Sequence, residues 1–192
     1  VRIAPEELRA TLLSPAEAEG MDAHGRTEAA VLVPVYGLDE RPGLVFTERR
    51  ADLRRHAGEI SFPGGRRDHR DEPLLETALR EAEEEIALDR EEVEILGALP
   101  PVSTVVTSYK VHPFVGLLAP APAFVANPAE VAAVLMLHLD ELRDGYAMRR
   151  LVKRGVPLRT PTYAVGDHLI WGATARILGS LFERLESGPL GP

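Results

Sequence analysis

The sequence predicts an α+β domain in which a mixed β-sheet core is sandwiched between helices. Three observations carry that expectation. The chain has 192 residues, of which 45% are apolar and 27% charged, enough for one domain with a sizeable core. Its strand-like runs do not alternate regularly with helical stretches, which argues against a doubly wound parallel sheet. No internal repeat, low-complexity tract or linker divides it, so residues 1–192 read as a single domain.

Taken in order, residues 5–20 read as one or two short helices, with Pro5 and Pro15 at first-turn positions. Residues 28–36 (EAAVLVPVY) read as a buried strand, in which Pro34 implies an edge or a bulge. A second strand is expected over 44–47, with a hairpin turn at 38–43 between the two. Residues 58–65 (GEISFPGG) suggest a short strand ending in a Pro-Gly-Gly loop. The clearest helix spans about 72–87, with Pro73 in its first turn. Residues 93–99, 111–118 and 131–139 read as three further strands, and 140–143 as a short helix. Two more strands are expected within 148–163. The last element, 168–185, has helical spacing at Leu169, Ala173, Ile177, Leu181 and Leu185.

Composition narrows the function classes. There are no cysteines, which excludes disulfides, a thiolate nucleophile and cysteine-ligated metal sites. No apolar run approaches the roughly 20 residues of a membrane-spanning helix. The start of the chain lacks the charge, apolar and small-residue order of a signal peptide, so a cytoplasmic protein is expected. The net charge of −8 argues against a duplex nucleic-acid binder. That average conceals a local asymmetry. Residues 49–70 hold Arg49, Arg50, Arg54, Arg55, Arg66, Arg67 and Arg70, and residues 68–94 hold twelve carboxylates. An anion-attracting stretch followed by a carboxylate cluster suits a metal-assisted site for a phosphorylated small molecule. Two solvated faces of opposite sign would leave the same pattern.

The helix around Arg80 carries the chemistry. At about 100° per residue, Glu81, Glu84 and Glu85 share one face, while Leu75, Leu79, Ala82 and Ile86 form a separate apolar stripe. Glu83 points elsewhere, toward solvent. Carboxylates crowded on one face repel each other unless a cation sits among them, and hard oxygen ligands select magnesium or manganese. A plain solvent-exposed acidic helix is the alternative reading.

With the preceding Phe62-Pro63-Gly64-Gly65, the run Arg80-Glu81-Ala82-Glu83-Glu84-Glu85-Ile86-Ala87-Leu88 resembles the Nudix box, a loop–helix signature of hydrolases of nucleoside diphosphates linked to another moiety. Ala87 replaces the usual glycine, and the loop is one residue longer than the commonest box, leaving Asp71 and Glu72 as alternatives for the early acidic position. The stretch from Phe46 through Arg49, Arg50, Arg54, Arg55 and His56 to Gly65 is similar to the motif that precedes the box in the coenzyme A pyrophosphatase branch. Arg50 stands where that motif usually has serine. Downstream, Asn127-Pro128-Ala129-Glu130-Val131 resembles a segment whose glutamate faces the metal site, and residues 170–178 resemble a closing helix of the same branch. The resemblance covers roughly residues 28–180, leaving 1–27 as an N-terminal helical extension.

The resemblance implies a Nudix-type fold and metal-dependent hydrolysis of coenzyme A or a derivative to 4′-phosphopantetheine and adenosine 3′,5′-bisphosphate. It implies Mg2+ or Mn2+ held by Glu81, Glu84, Glu85 and the Gly65 carbonyl. Arg80 would orient the site by pairing with an early-helix or loop carboxylate. Arg49, Arg50, Arg55 and His56 would bind the substrate, since arginine offers bidentate contacts to phosphate. Either Glu84 or Glu130 would serve as general base. Another Nudix activity, on ADP-ribose, a dinucleotide or a modified nucleoside triphosphate, is a second reading. A non-catalytic nucleotide or coenzyme A sensor is a third. The expected partner is a small molecule, with neither nucleic acid nor membrane; the oligomeric state is not legible.

Overall fold

The computed structural model describes residues 2–52, 58–70, 72–104, 108–153 and 156–187. Two short helices, α1 (Pro5–Thr11) and α2 (Pro15–Gly20), precede the strands β1 (Thr27–Tyr36), β2 (Gly43–Arg49), β3 (Ile60–Ser61) and β4 (Gly64–Arg66). Helix α3 (Leu74–Ile86) leads through a 3-10 turn (Arg90–Glu92) to β5 (Glu94–Ala98), β6 (Val102–Ser103), β7 (Tyr109–Leu118) and β8 (Val131–His138). Then come α4 (Leu139–Asp144), β9 (Tyr146–Lys153), β10 (Val156–Val165), β11 (His168–Ile170) and α5 (Gly172–Ser187). Strands β1 to β8 form a mixed sheet whose main path runs β3-β2-β1-β7-β5, with β4 against β1, β6 against β7 and β8 against β2. Strands β9 to β11 form a separate antiparallel sheet.

The α+β sandwich expected from the sequence is the fold observed, and strand alternation builds it. Along β1, Ala29, Val33 and Val35 enter one core with Ile177, Leu178, Leu181 and Phe182 of α5. Ala30, Leu32 and Tyr36 enter the other with Leu74, Ala78, Leu79, Ala82 and Ile86 of α3. Burying both faces fixes the register of β1, because a one-residue slip would exchange the two cores.

Several local expectations are revised. Strand β1 is not an edge strand: it pairs in parallel with β7 from Thr27↔Tyr109 to Tyr36↔Leu118. Pro34 is tolerated because the other side of β1 is shared, β4 pairing at Ala29 to Val31 and β2 at Val35 and Tyr36. The Leu32 N–H crosses on that side to the Pro63 carbonyl (2.9 Å). Donor directions alternate along a strand, so the donor missing at Pro34 would point the same way, into the gap between β4 and β2. Residues 58–65 form not one strand and a loop but two short strands, with Gly64 and Gly65 paired to Val31 and Ala30. Pro73 is the N-cap of α3 rather than part of its first turn. The segment expected as one helix over 168–185 begins as β11, which pairs with β10. Strand β6, two residues long, carries too little pattern to be read.

Candidate active site

Helix α3 is built of good helix formers and lays its apolar stripe on the sheet, which aims its acidic side along β4. It ends at Ala87, which adopts the left-handed conformation (φ 54°, ψ 35°) usually given to glycine. The Ala87 and Leu88 N–H groups close that end onto the Glu83 and Ala82 carbonyls.

The glutamates on α3 occupy unlike environments. Glu85 is buried (9% exposed) and accepts a hydrogen bond from the Gly64 N–H (3.1 Å). Glu81 has only 18% of its side chain exposed and lies against Gly65, where an added Cβ would come within 2.4 Å of its carboxylate. Glu84 sits at the rim with 58% of its side chain exposed. Glu83 is exposed on another side, 3.7 Å from Arg90.

Arg80 organises this cluster. Its Nε donates to Glu72 (3.0 Å), its Nη1 to Glu81 (3.0 Å) and Glu84 (3.3 Å), and its Nη2 to the Arg66 carbonyl (3.5 Å), with Asp68 at 3.7 Å. Partial burial works against its charge, but these carboxylates outweigh that and raise its pKa. Of the two candidate early acidic positions, Glu72 contacts Arg80; Asp71 lies outside the described residues.

Glu130 reaches the cluster from the loop before β8. Its carboxylate pairs with Arg49 Nη1 (3.1 Å), and its carbonyl accepts from the Arg50 N–H (3.0 Å). The Asn127 N–H donates to the Glu85 carbonyl (2.8 Å) and the Asn127 carbonyl accepts from the Glu130 N–H (3.1 Å), which brings this loop to the end of α3. The Arg50 side chain is engaged by Asp52 (2.9 and 2.6 Å) and by the Pro128 carbonyl. Arg55 and His56 lie outside the described residues.

The donor set suits a hard divalent cation. Burial pushes the Glu85 carboxyl up to about 7; the Gly64 hydrogen bond opposes that, and repulsion from Glu81 and Glu130 adds to it. Burial likewise raises Glu81, against the lowering influence of Arg80. A cation among these oxygens would relieve the repulsion and favour their ionised forms. As the side chains stand, Arg80 spans Glu81 and Glu84, and no three acidic or histidine side chains among the described residues are gathered into a finished metal cage.

Two contributors escaped the sequence reading. Asp68 flanks Arg80 from the loop, and Asn127 joins the Glu130 loop to α3 through the carbonyls of Glu84 and Glu85. An Asn-Pro pair signals a turn, but nothing local reveals partners some 43 residues earlier.

Comparison with known proteins agrees with this architecture. The NUDIX domain family model matches residues 26–155. A protein of Pectobacterium atrosepticum named "Uncharacterized Nudix hydrolase NudL" is 39% identical over 171 residues, covering 86% of each chain. Its namesake in Citrobacter koseri is 44% identical over 158 residues, covering 81% of each. Among solved structures, a MutT/nudix family protein from Enterococcus faecalis shares the fold with a TM-score of 0.58 at 14% identity, over 92% of this chain and 70% of that one.

Proposed function

Because this chain belongs to the Nudix hydrolase family, we propose that its pyrophosphate substrate is coenzyme A or a derivative, cleaved to 4′-phosphopantetheine and adenosine 3′,5′-bisphosphate. The chain is a Nudix pyrophosphohydrolase, and enzymes of this family generally depend on a divalent metal. The observation that carries the reading is the pair of shielded carboxylates, Glu81 and Glu85, packed against Gly65 and Gly64 beside Glu130 and Arg49. For the substrate, support comes from the arginine run that precedes the site.

In this proposal Glu81 and Glu85, with Glu84 and the Gly65 carbonyl, hold Mg2+ or Mn2+. The ion, when bound, supplies Lewis acidity to the pyrophosphate oxygens and acidifies the attacking water. Arg80 orients Glu81 and Glu84 while Glu72 anchors its far side. Glu130 takes the proton from water, since it approaches from a segment separate from the helix that holds the ion. Glu84 is the competing base. Arg49, with Arg55 and His56, binds phosphate groups of the substrate, and Arg50 joins them by exchanging Asp52 for a phosphate. The proposed setting is the cytoplasm. The core of the domain is taken as residues 28–180, with 1–27 as its extension. No helix among the described residues is long and apolar enough to cross a membrane.

Product analysis tests the reading. Protein would be incubated with coenzyme A, ADP-ribose and a reduced dinucleotide, each with Mg2+ or Mn2+, and the products separated by chromatography. Coenzyme A is expected to be hydrolysed fastest, and Arg49→Ala to raise its KM more than that of dephospho-coenzyme A. Faster turnover of ADP-ribose or the dinucleotide would move the enzyme to another Nudix activity. Binding without turnover would make it a sensor.

A further inference from the structure

We infer that Asn127 is a positioning residue that clamps the Glu130 loop onto the end of the carboxylate helix. The inference rests on the role proposed above for Glu130. A helix ends with four carbonyls that lack an intrahelical partner. In α3 the Glu83 carbonyl is taken by the Ala87 N–H. The next three are taken by one short segment. Asn127 Nδ2 donates to the Glu84 carbonyl (3.2 Å), the Asn127 N–H to Glu85 (2.8 Å) and the Val125 N–H to Ile86 (3.1 Å).

The same residue organises the loop on its other side. Asn127 Oδ1 accepts from the Ala129 N–H (3.1 Å), and its carbonyl accepts from the N–H groups of Glu130 (3.1 Å) and Val131 (2.9 Å). One side chain therefore faces two ways. Its amide nitrogen holds the backbone of Glu84, and its amide oxygen shapes the turn that presents Glu130. The helix that carries Glu84 and Glu85 and the loop that carries Glu130 are joined through this bridge. Other turn-forming residues replace only half of it. Aspartate can accept from Ala129 but has no hydrogen to give the Glu84 carbonyl, and its charge faces the negative end of the helix dipole.

The test compares Asn127→Ala, Asn127→Asp and Glu130→Gln, with Asn127→Ala/Glu130→Gln completing a double-mutant cycle. Coenzyme A with Mg2+ is the substrate, and ADP-ribose is assayed in parallel. Asn127→Ala is expected to lower kcat by about tenfold or more with little change in KM, as a misplaced catalytic group would. In the Glu130→Gln background the same substitution should cost less than about twofold, because the group it positions is already disabled. Asn127→Asp should resemble Asn127→Ala. An Asp variant with wild-type kcat would show that only the turn matters and would overturn the clamp, as would losses that multiply independently in the double variant.

Hydrogen exchange supplies a readout apart from activity. In Asn127→Ala the amides of Val125 and residue 127, which bind the helix through backbone alone, should exchange faster, while those of β8 beyond Val131 keep their protection. Unchanged exchange at both amides overturns the clamp whatever the kinetics. If Glu130→Gln keeps full activity, or neither substrate is cleaved, it is the proposed role of Glu130 or the proposed substrate that fails. The exchange data then decide the clamp by themselves.

Discussion

Alanine at Gly65 and alanine at Gly64 are expected to fail in different ways, although the positions are adjacent. A Cβ on Gly65 would stand 2.4 Å from Cδ and Oε2 of Glu81, whereas ordinary contact begins at 3.4 Å. The carboxylate must therefore withdraw by about 1 Å, the difference between those distances. It is the far end of a flexible side chain, held by Arg80 rather than by backbone, so the fold can absorb the change at a cost of about 1 kcal/mol. Displacing a group of the reacting centre by that amount costs on the order of 10²-fold in kcat. A Cβ on Gly64 would instead meet the Ala30 carbonyl oxygen at 2.4 Å and Val31 Cα at 2.6 Å, at a φ of +155°. Those atoms are backbone of the central strand and cannot swing away. Gly64→Ala should lose about 3 kcal/mol or more of stability. Urea unfolding at matched slopes measures the stabilities, and steady-state hydrolysis of the substrate picked out by product analysis measures kcat. A Gly65→Ala enzyme with kcat within about threefold of wild type would refute the proposed use of Glu81. A loss of stability equal to that of Gly64→Ala would refute the argument that the side chain can yield.

Three further outcomes follow from the same geometry. Glu81→Gln and Glu85→Gln should each lower turnover by on the order of 10³-fold while Glu83→Gln is nearly silent; equal sensitivity at Glu83 in the activity assay would contradict the observed facing of α3. Ala87→Gly relieves a left-handed alanine and should raise unfolding free energy by about 1 kcal/mol in urea titrations, with no gain counting against strain at that cap. His112 is 1% exposed, its ring nitrogens have no hydrogen-bond partner among the described residues, and burial, helped by Lys110, lowers its pKa from 6.5 to about 4. The folded state thus favours neutral imidazole: the full stability is present above pH 6.5 and falls by about 3 kcal/mol as the pH drops through 4. His112→Leu should flatten that part of the stability–pH curve, and an unchanged slope would assign acid sensitivity to other groups.

Much of the site is written locally in the chain. The 3.6-residue period puts Glu81, Glu84 and Glu85 to one side of α3 and Glu83 to another, and the structure keeps that division. The apolar run in residues 28–36 reads as a buried strand, as β1 proves to be. Patterns of this kind depend on neighbours within one or two turns, so a linear reading recovers them. Burial and partnership do not depend on such neighbours. Glu84 and Glu85 are adjacent and chemically identical, yet one is rim-exposed and the other packed under the Gly64 N–H, because β4 covers only one of them. Pro34 sits in the middle of a sheet because two different strands leave a gap beside it, which no property of residues 28–36 can reveal. The orphaned ring of His112, the pairing of Glu130 with Arg49 and the reach of Asn127 to the end of α3 are of the same kind. Each is decided by which distant segments come to share one face of the sheet, and that choice belongs to the packing of the whole core rather than to any stretch of the chain.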